Sequence, residues 1–487
     1  MSRIRRPWST LLIFALATIV SLLLNSVVPH TIPRGLGVAF ADSFTGAAAT
    51  PNPIAAQAVP QHPFMASDGT NSMHNDAYAT DAYRTPGPLG HKTKVTSATS
   101  GLEECATLAF DGTGRLLGLC GDIIGPELKL LDPVSLALIA SFPLPGRELR
   151  EGVAPWEDLC GGAYFYVNNL GQAVVATTNR EVRVISVSGA KLSQSRVFEL
   201  SSLVPPEDCL IALMPDWAGR IWFVTSGGRV GAIDPQTGAA QAVYLEGERI
   251  ANSIASDETG GVFVVSDHAL YRFAASATGL PEVTWRQVYD RGVRHKPGQL
   301  SWGSGTTPTL SGDRLVAITD NAEPRMNVVV YDRHSGDVVC QEPVFEPGAS
   351  ATDNSLIALG NAFVVENNYG YAGPLSTLFK GASSPGVARI DVNEYGCSTA
   401  WVSDVIAPSC VPKASLATGL IYVYAKDPGP LMGAWYFTAI DARTGQTVFR
   451  VLTGTGSGWN NHYAAITLGP DGTAYIGTLF GIVRISG

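Results

Sequence analysis

A unit of about 48 residues recurs along most of this chain and constrains the fold more than any other feature. Each copy reads as an apolar strand, a turn with Asp or Gly, a second apolar strand, a short connection, a third strand often ending in Asp, then a turn and a fourth strand. The clearest copies are CLIALMPDWAGRIWFVTSGGRVGAIDPQTGAAQAVYL at 209–245, GTTPTLSGDRLVAITDNAEPRMNVVVYDRHSGDVVCQ at 305–341 and PKASLATGLIYVYAKDPGPLMGAWYFTAIDARTGQTVFRV at 412–451. Weaker copies start near Cys105, Cys160, Ile250 and Ser355, and His462 opens an eighth. Units of this length match the four-stranded blades of a β-propeller. The expected fold is all-β: an eight-bladed propeller over residues 101–487, with seven blades as the alternative count. The 52 glycines and 31 prolines suit strands and tight turns. The last unit has three strands before Gly487, so a segment near KTKVTSA at 92–98 is expected to supply the missing strand and close the ring.

Arg3, Arg5 and Arg6 precede an apolar run from Leu11 to Val28, and Ala39-Phe40-Ala41 resembles a cleavage site. Residues 1–41 therefore read as a signal peptide or, because the run is long and ends well before that site, as an N-terminal membrane anchor. Both readings place the bulk of the chain outside the cytoplasm, secreted or anchored. Residues 42–100, rich in Ala, Pro, Ser and Thr as in GAAATPNPIAAQAVPQHP, read as a flexible linker. The leader carries four arginines and no acids, so its removal moves the formal charge from −9 to −13, with 29 basic residues against 42 acidic ones. Such a surface is unsuited to nucleic acid. Membrane contact is expected through the N-terminal segment alone.

All seven cysteines follow the leader, an odd number in a compartment where disulfides persist. Cys105 and Cys120 flank one predicted hairpin, and Cys160 and Cys209 begin successive blades. Cys397 and Cys410 are expected to close a third loop, leaving Cys340 unpaired.

The turns AIDPQTGAAQAV, VYDRHSGDVVCQ and AIDARTGQTVFR resemble the Asp-x-x-(Thr/Ser)-Gly turn of propellers in the quinoprotein-alcohol-dehydrogenase-like superfamily. The resemblance implies that Asp caps the bend and Gly takes a positive φ. That superfamily holds both quinone-dependent dehydrogenases and non-catalytic scaffolds. This chain lacks the vicinal Cys-Cys pair of many quinone-binding members, and pyrroloquinoline quinone is not expected.

In a propeller, residues just before each inner strand and just after its neighbour converge on one central funnel. Here those positions carry Glu104, Glu157, Asp158, Glu207, Asp208, Asn252, Thr307, Asp353, Asn354, Lys413, Asn461 and His462, with Asp320, Asn321, Glu366 and Asn367 at strand exits. Crowded carboxylates need relief, and three kinds are available: a hard cation, a salt bridge or a shared proton. A Ca²⁺ ion would draw on Glu104, Glu157, Glu207, Asn252 and Asp353; lysines such as Lys413 would pair with carboxylates; a protonated acid would serve as general acid with His462 or another carboxylate as base. His462, Glu157, Asp353 and Lys413 are the catalytic candidates, the others ligand contacts. Trp302 is a candidate for stacking on a ring-shaped ligand. No HExxH, Walker loop, GxSxG or Rossmann pattern is present. The leading expectation is a small polar or ring-bearing ligand in the funnel, with acid-base or cation-assisted hydrolase, lyase or isomerase chemistry. A protein-binding scaffold and a quinone-dependent oxidoreductase are the alternatives.

Overall fold

A computed structural model describes residues 31–148, 156–161, 164–378, 381–428 and 433–487. The expected leader lies outside the described residues as far as position 30. The chain forms eight antiparallel four-stranded blades in a ring, the β-propeller that the repeats predict. Blade 1 runs from the channel outward as Glu104–Phe110, Leu116–Gly121, Pro126–Leu131 and Leu138–Pro143. The inner strands of blades 2 to 8 open at Phe165, Leu210, Ala255, Thr309, Ile357, Lys413 and Ile466.

Burial follows position in the blade. The inner strand Leu210–Pro215 of blade 3 is buried throughout, whereas the outermost strand of blade 5, Val338–Pro343, carries no buried residue. Inner and middle strands pack against neighbouring blades on both faces and read as continuous apolar runs. Turns behave as their residues dictate. Asp234, Asp332 and Asp441 each accept the backbone N–H two residues on, at 2.8, 3.0 and 2.9 Å, and Gly238, Gly336 and Gly445 sit at φ +81°, +79° and +74°. Strand Lys94–Thr99 pairs antiparallel with Gly481–Ser486 and completes blade 8, the expected closure.

Residues 42–91 are not the free linker that their composition suggests. Phe44–Gly46 adds an outer strand to blade 7, pairing with Phe449–Val451. The segment from His62 to Tyr83 then enters the ring from the end where the first and second strands turn. Phe110, Ser256, Leu310, Ala358 and Ala414 donate their backbone N–H groups to the carbonyls of Thr70, Ala77, Tyr78, Thr80 and Asp81 at 2.8–2.9 Å. Each inner strand has one edge with no blade partner, and this plug supplies acceptors to most of them. Its small residues fit the narrow channel, and Ala77 and Ala79 are fully buried.

The stretch before the expected cleavage point also belongs to the folded body. Ile32 is buried, the Arg34 guanidinium donates to the carbonyls of Leu452 and Thr453, and Trp459 Nε1 donates to Pro33 O at 2.9 Å. A cut after Ala41 would remove all three contacts.

Cys105–Cys120 and Cys160–Cys209 form as expected. The third bridge differs: Cys340 pairs with Cys397, and Cys410 is the free, buried thiol. Cys340 and Cys397 lie side by side on the outermost strands of blades 5 and 6. Cys410, though nearer to Cys397 in sequence, has already crossed to the channel side of blade 7.

An ion pair in the channel pins the plug. Asp81 and Lys413 are both fully buried and bonded to one another, and Lys413 Nζ also donates to Met73 O at 2.7 Å. Asp81→Ala leaves a buried ammonium without its counter-ion and is expected to cost about 3–5 kcal/mol in urea unfolding. The double variant Asp81→Asn/Lys413→Met should recover more than half of that loss; a single variant as stable as the parent would show that the pair does not hold the plug.

Candidate functional site

The connectors preceding the inner strands of blades 4 and 5, Ala255–Ser256 and Thr309–Ser311, stand at the mouth of the ring. Between these connectors and the one before blade 2 lies a cavity of about 400 Å³ on the face where inner strands begin. Glu157 and Asp158 contribute from before blade 2, Arg249 and Asn252 from before blade 4, and His295, Trp302 and Ser304 from before blade 5. Leu300 and Ser301 complete one side.

These walls are held from behind. Asp267 Oδ1 accepts the Arg249 backbone N–H at 2.7 Å, and its Oδ2 accepts the Arg291 guanidinium at 2.9 Å. That guanidinium lies 4.4 Å from the Trp302 ring centroid, while Trp302 Nε1 donates to Arg291 O at 2.8 Å. Trp302 nevertheless stays 39% exposed, which leaves part of its ring for a ligand. Asn252 donates to Ser304 O at 3.1 Å and fixes one connector against the next.

Asp353 sits behind this wall. Its Oδ2 accepts the Leu300 N–H, its Oδ1 has no hydrogen-bond partner, and burial raises its carboxyl well above the usual range, against the pull of the Leu300 and Ser301 amides. Glu366 is raised in the same way by burial, with the side-chain amides of Asn354 and Asn368 donating to its two oxygens. Glu104 is a third carboxyl raised by burial, and its Oε1 is unpartnered.

His462 is fastened at both ring nitrogens. Nε2 lies 2.8 Å from Trp156 O and Nδ1 lies 2.9 Å from the Tyr371 hydroxyl. A carbonyl only accepts, so Nε2 carries the proton and Nδ1 accepts from Tyr371. Burial lowers the His462 pKa to about 4, partly offset by the Trp156 carbonyl. His462 and Tyr463 adopt φ of +31° and +68°, a strained pair at the opening of blade 8.

The remaining sequence candidates scatter. Lys413 is committed to Asp81, and Thr307 Oγ1 lies 3.3 Å from His74 Nε2 on the plug. Asp208 clamps its own blade, accepting from Thr225 at 2.6 Å and Arg229 at 2.9 Å, whereas Glu207 is exposed. Asp320 holds Asn327 at 2.7 Å. Asn321, Asn367 and Asn461 donate to the loop carbonyls of Arg291, Ala349 and Ala464 at 2.9 Å each. The five proposed calcium ligands do not converge: Glu157 and Asn252 reach the cavity, Asp353 stands behind it, and Glu104 and Glu207 lie elsewhere. Among the described residues no group of three or more His, Cys, Asp or Glu is arranged to hold a metal ion. Sequence reasoning missed Arg249 and His295, which sit in connectors without strand periodicity, and the plug residues His74 and Asp81.

No family model matches the chain. An uncharacterised protein of Archaeoglobus fulgidus is 27% identical over 399 residues, spanning 74% of this chain and 75% of the relative. A solved structure of a streptogramin B lyase aligns with a TM-score of 0.41 and 11% identity, covering 81% of this chain and 97% of that one.

The His462 geometry yields a pH signature. Its folded pKa of about 4 lies below the ordinary value of 6.5, so between these pH values the unfolded chain binds more protons. The His462 contribution to stability is complete above pH 6.5 and is lost as pH falls toward 4. Nitrogen-15 NMR should show His462 neutral at pH 5.5 with the proton on Nε2; a titration midpoint near 6.5 would refute the fastened geometry.

Proposed function

We propose that this protein is an exported β-propeller that binds a small polar, ring-bearing molecule in the cavity between the connectors of blades 2, 4 and 5. The observation that carries this reading is the lining itself: a half-open indole, an exposed guanidinium, an amide and a carboxylate converge on about 400 Å³ from three connectors. That volume falls within the usual range for small-molecule sites, and a few fixed polar groups around an aromatic wall are their usual composition. Trp302 would stack on the ring, Arg249 would meet an anionic or carbonyl substituent, and Asn252 would fix orientation. Three disulfides accord with a location outside the cytoplasm. Affiliation to the quinoprotein-like superfamily rests on the Asp-x-x-(Thr/Ser)-Gly turns of blades 3, 5 and 7.

Acid-base chemistry on the bound molecule would run through Glu157 and His295, which share the rim of the cavity. His462 offers no open nitrogen for that task, and the Lys413 ammonium is bound to the plug. Hydrolysis, elimination and isomerisation all fit such a pair.

Native mass spectrometry of the purified protein should reveal a retained small molecule. Titration with monocyclic aromatic carboxylates, followed by tryptophan fluorescence, should give saturable binding that Trp302→Ala and Asn252→Ala each weaken by about tenfold. Glu157→Gln should keep binding and lose any turnover. Unchanged affinity in Trp302→Ala would remove the cavity from consideration.

A further inference from the structure

The plug builds a second cavity, of about 300 Å³, at the opposite end of the ring. It opens between the plug and the turns of blades 5 to 7, with Asp68, Asn75, Asp76 and Arg84 on the plug side and Ser311 and Asn361 on the ring side. None of these residues belongs to the funnel chemistry described above.

The plug wall is strained. Asn75, Ala79 and Asp81 hold φ values of +60°, +53° and +54°, which non-glycine residues keep only where their surroundings force them. The forced conformation turns acceptors toward one place. Asp76 is 2% exposed; its Oδ1 accepts Thr80 N at 3.1 Å, and its Oδ2 accepts Asn75 Nδ2 at 3.0 Å and the Thr80 hydroxyl. Asn75, also 2% exposed, spends its amide hydrogens on Asp76 and on Ala82 O, and its Oδ1 has no partner. Asp68 receives a single long side-chain bond, from Asn71 at 3.4 Å.

The electrostatics point the same way. Burial pushes Asp68 up to about 6, partly offset by Asn71 and Arg84, and pushes Asp76 up to about 8, with the Asp68 charge adding to the rise. The plug side of the cavity thus presents two carboxyl groups and the unpartnered Asn75 oxygen, and its one cationic side chain, Arg84, is exposed. An anion would meet two carboxyl groups. A hard metal ion asks for six or more oxygen ligands, whereas two carboxyl groups and one amide oxygen stand here. An alkylammonium group brings a positive charge that favours the ionised form of both carboxyls, and three N–H donors that match the three acceptors then present.

We propose that this cavity binds a small molecule through a primary ammonium group seated between Asp68 and Asp76 beneath the Asn75 side-chain oxygen. Arg84 occupies the electrostatic role of that ammonium when the cavity is free and yields to it on binding.

The test is calorimetric titration of the full-length protein with glucosamine and with putrescine, using N-acetylglucosamine as the neutral counterpart. Glucosamine should bind and N-acetylglucosamine should give no measurable heat. Asp68→Asn should weaken binding by about tenfold or more, and Arg84→Ala should strengthen it severalfold by removing the competing cation. Trp302→Ala should leave ammonium binding unchanged, which separates this cavity from the one near blades 2, 4 and 5. Melting temperatures near that of the parent would establish that the Asp68 and Arg84 variants fold. The proposal is overturned if neither amine binds more tightly than N-acetylglucosamine, or if both the Asp68 and Arg84 variants retain parental affinity.

Discussion

The inner edge of every blade is a row of backbone N–H and C=O groups with no strand beside it, and the rest of this molecule is organised around that constraint. A blade satisfies its other strands internally and its faces against its neighbours, but the edges converge on the channel and must find partners there. In this protein the chain's own segment from His62 to Tyr83 provides them, accepting from blades 1, 2, 4, 5, 6 and 7 in turn. A strand could not do this, because the edges are splayed around a circle. The plug is therefore irregular, and its left-handed residues at Asn75, Ala79 and Asp81 redirect the chain from one blade to the next.

The plug divides the interior. On one side the connectors of blades 2, 4 and 5 enclose a cavity around Trp302; on the other the plug itself makes a wall around Asp68 and Asp76. Between them the Asp81–Lys413 pair, with Ser355 and His74 bonded to the same carboxylate, ties plug to ring. With the plug in place, the region near the channel axis is dry. Lys413, close to the axis, is among the most buried ionisable groups, while Glu157 at the mouth of the ring is open to water.

The ring was legible because its signals are local. The strand alternation, the Asp-x-x-(Thr/Ser)-Gly turns and the three-stranded last unit each follow from residues close together in sequence, and all three appear where expected. Of the positions before inner strands, Glu157, Asp158, Asn252 and Trp302 line one cavity, while the other candidates lie apart. The plug was not legible, because Ala, Pro, Ser and Thr without periodicity describe a free tether and an irregular channel filler equally well. What distinguishes the two is the set of unpaired edges, a property of the closed ring. The misassigned disulfide has a similar origin: Cys397 and Cys410 are close in sequence, but one lies on the outer rim and the other at the channel.

The acidic crowding expected at the funnel is relieved by two means in different places. Asp208 and Asp267 pair with Arg229 and Arg291 at 2.9 Å each, so their charge is neutralised by a side chain of the same blade or of the connector that follows it. For Glu104, Asp353 and Glu366 the means is burial, which lifts each toward the neutral form. A neutral carboxyl is a hydrogen-bond donor as well as an acceptor. The ring can therefore place three acids near its axis without mutual repulsion, and Tyr371 and Tyr463, whose phenols burial holds in the protonated form, pack among them. His462 belongs to this neutral interior: with its proton fixed on Nε2 by the Trp156 carbonyl and Nδ1 filled by Tyr371, it joins the connector before blade 2 to the opening of blade 8 across the mouth of the ring.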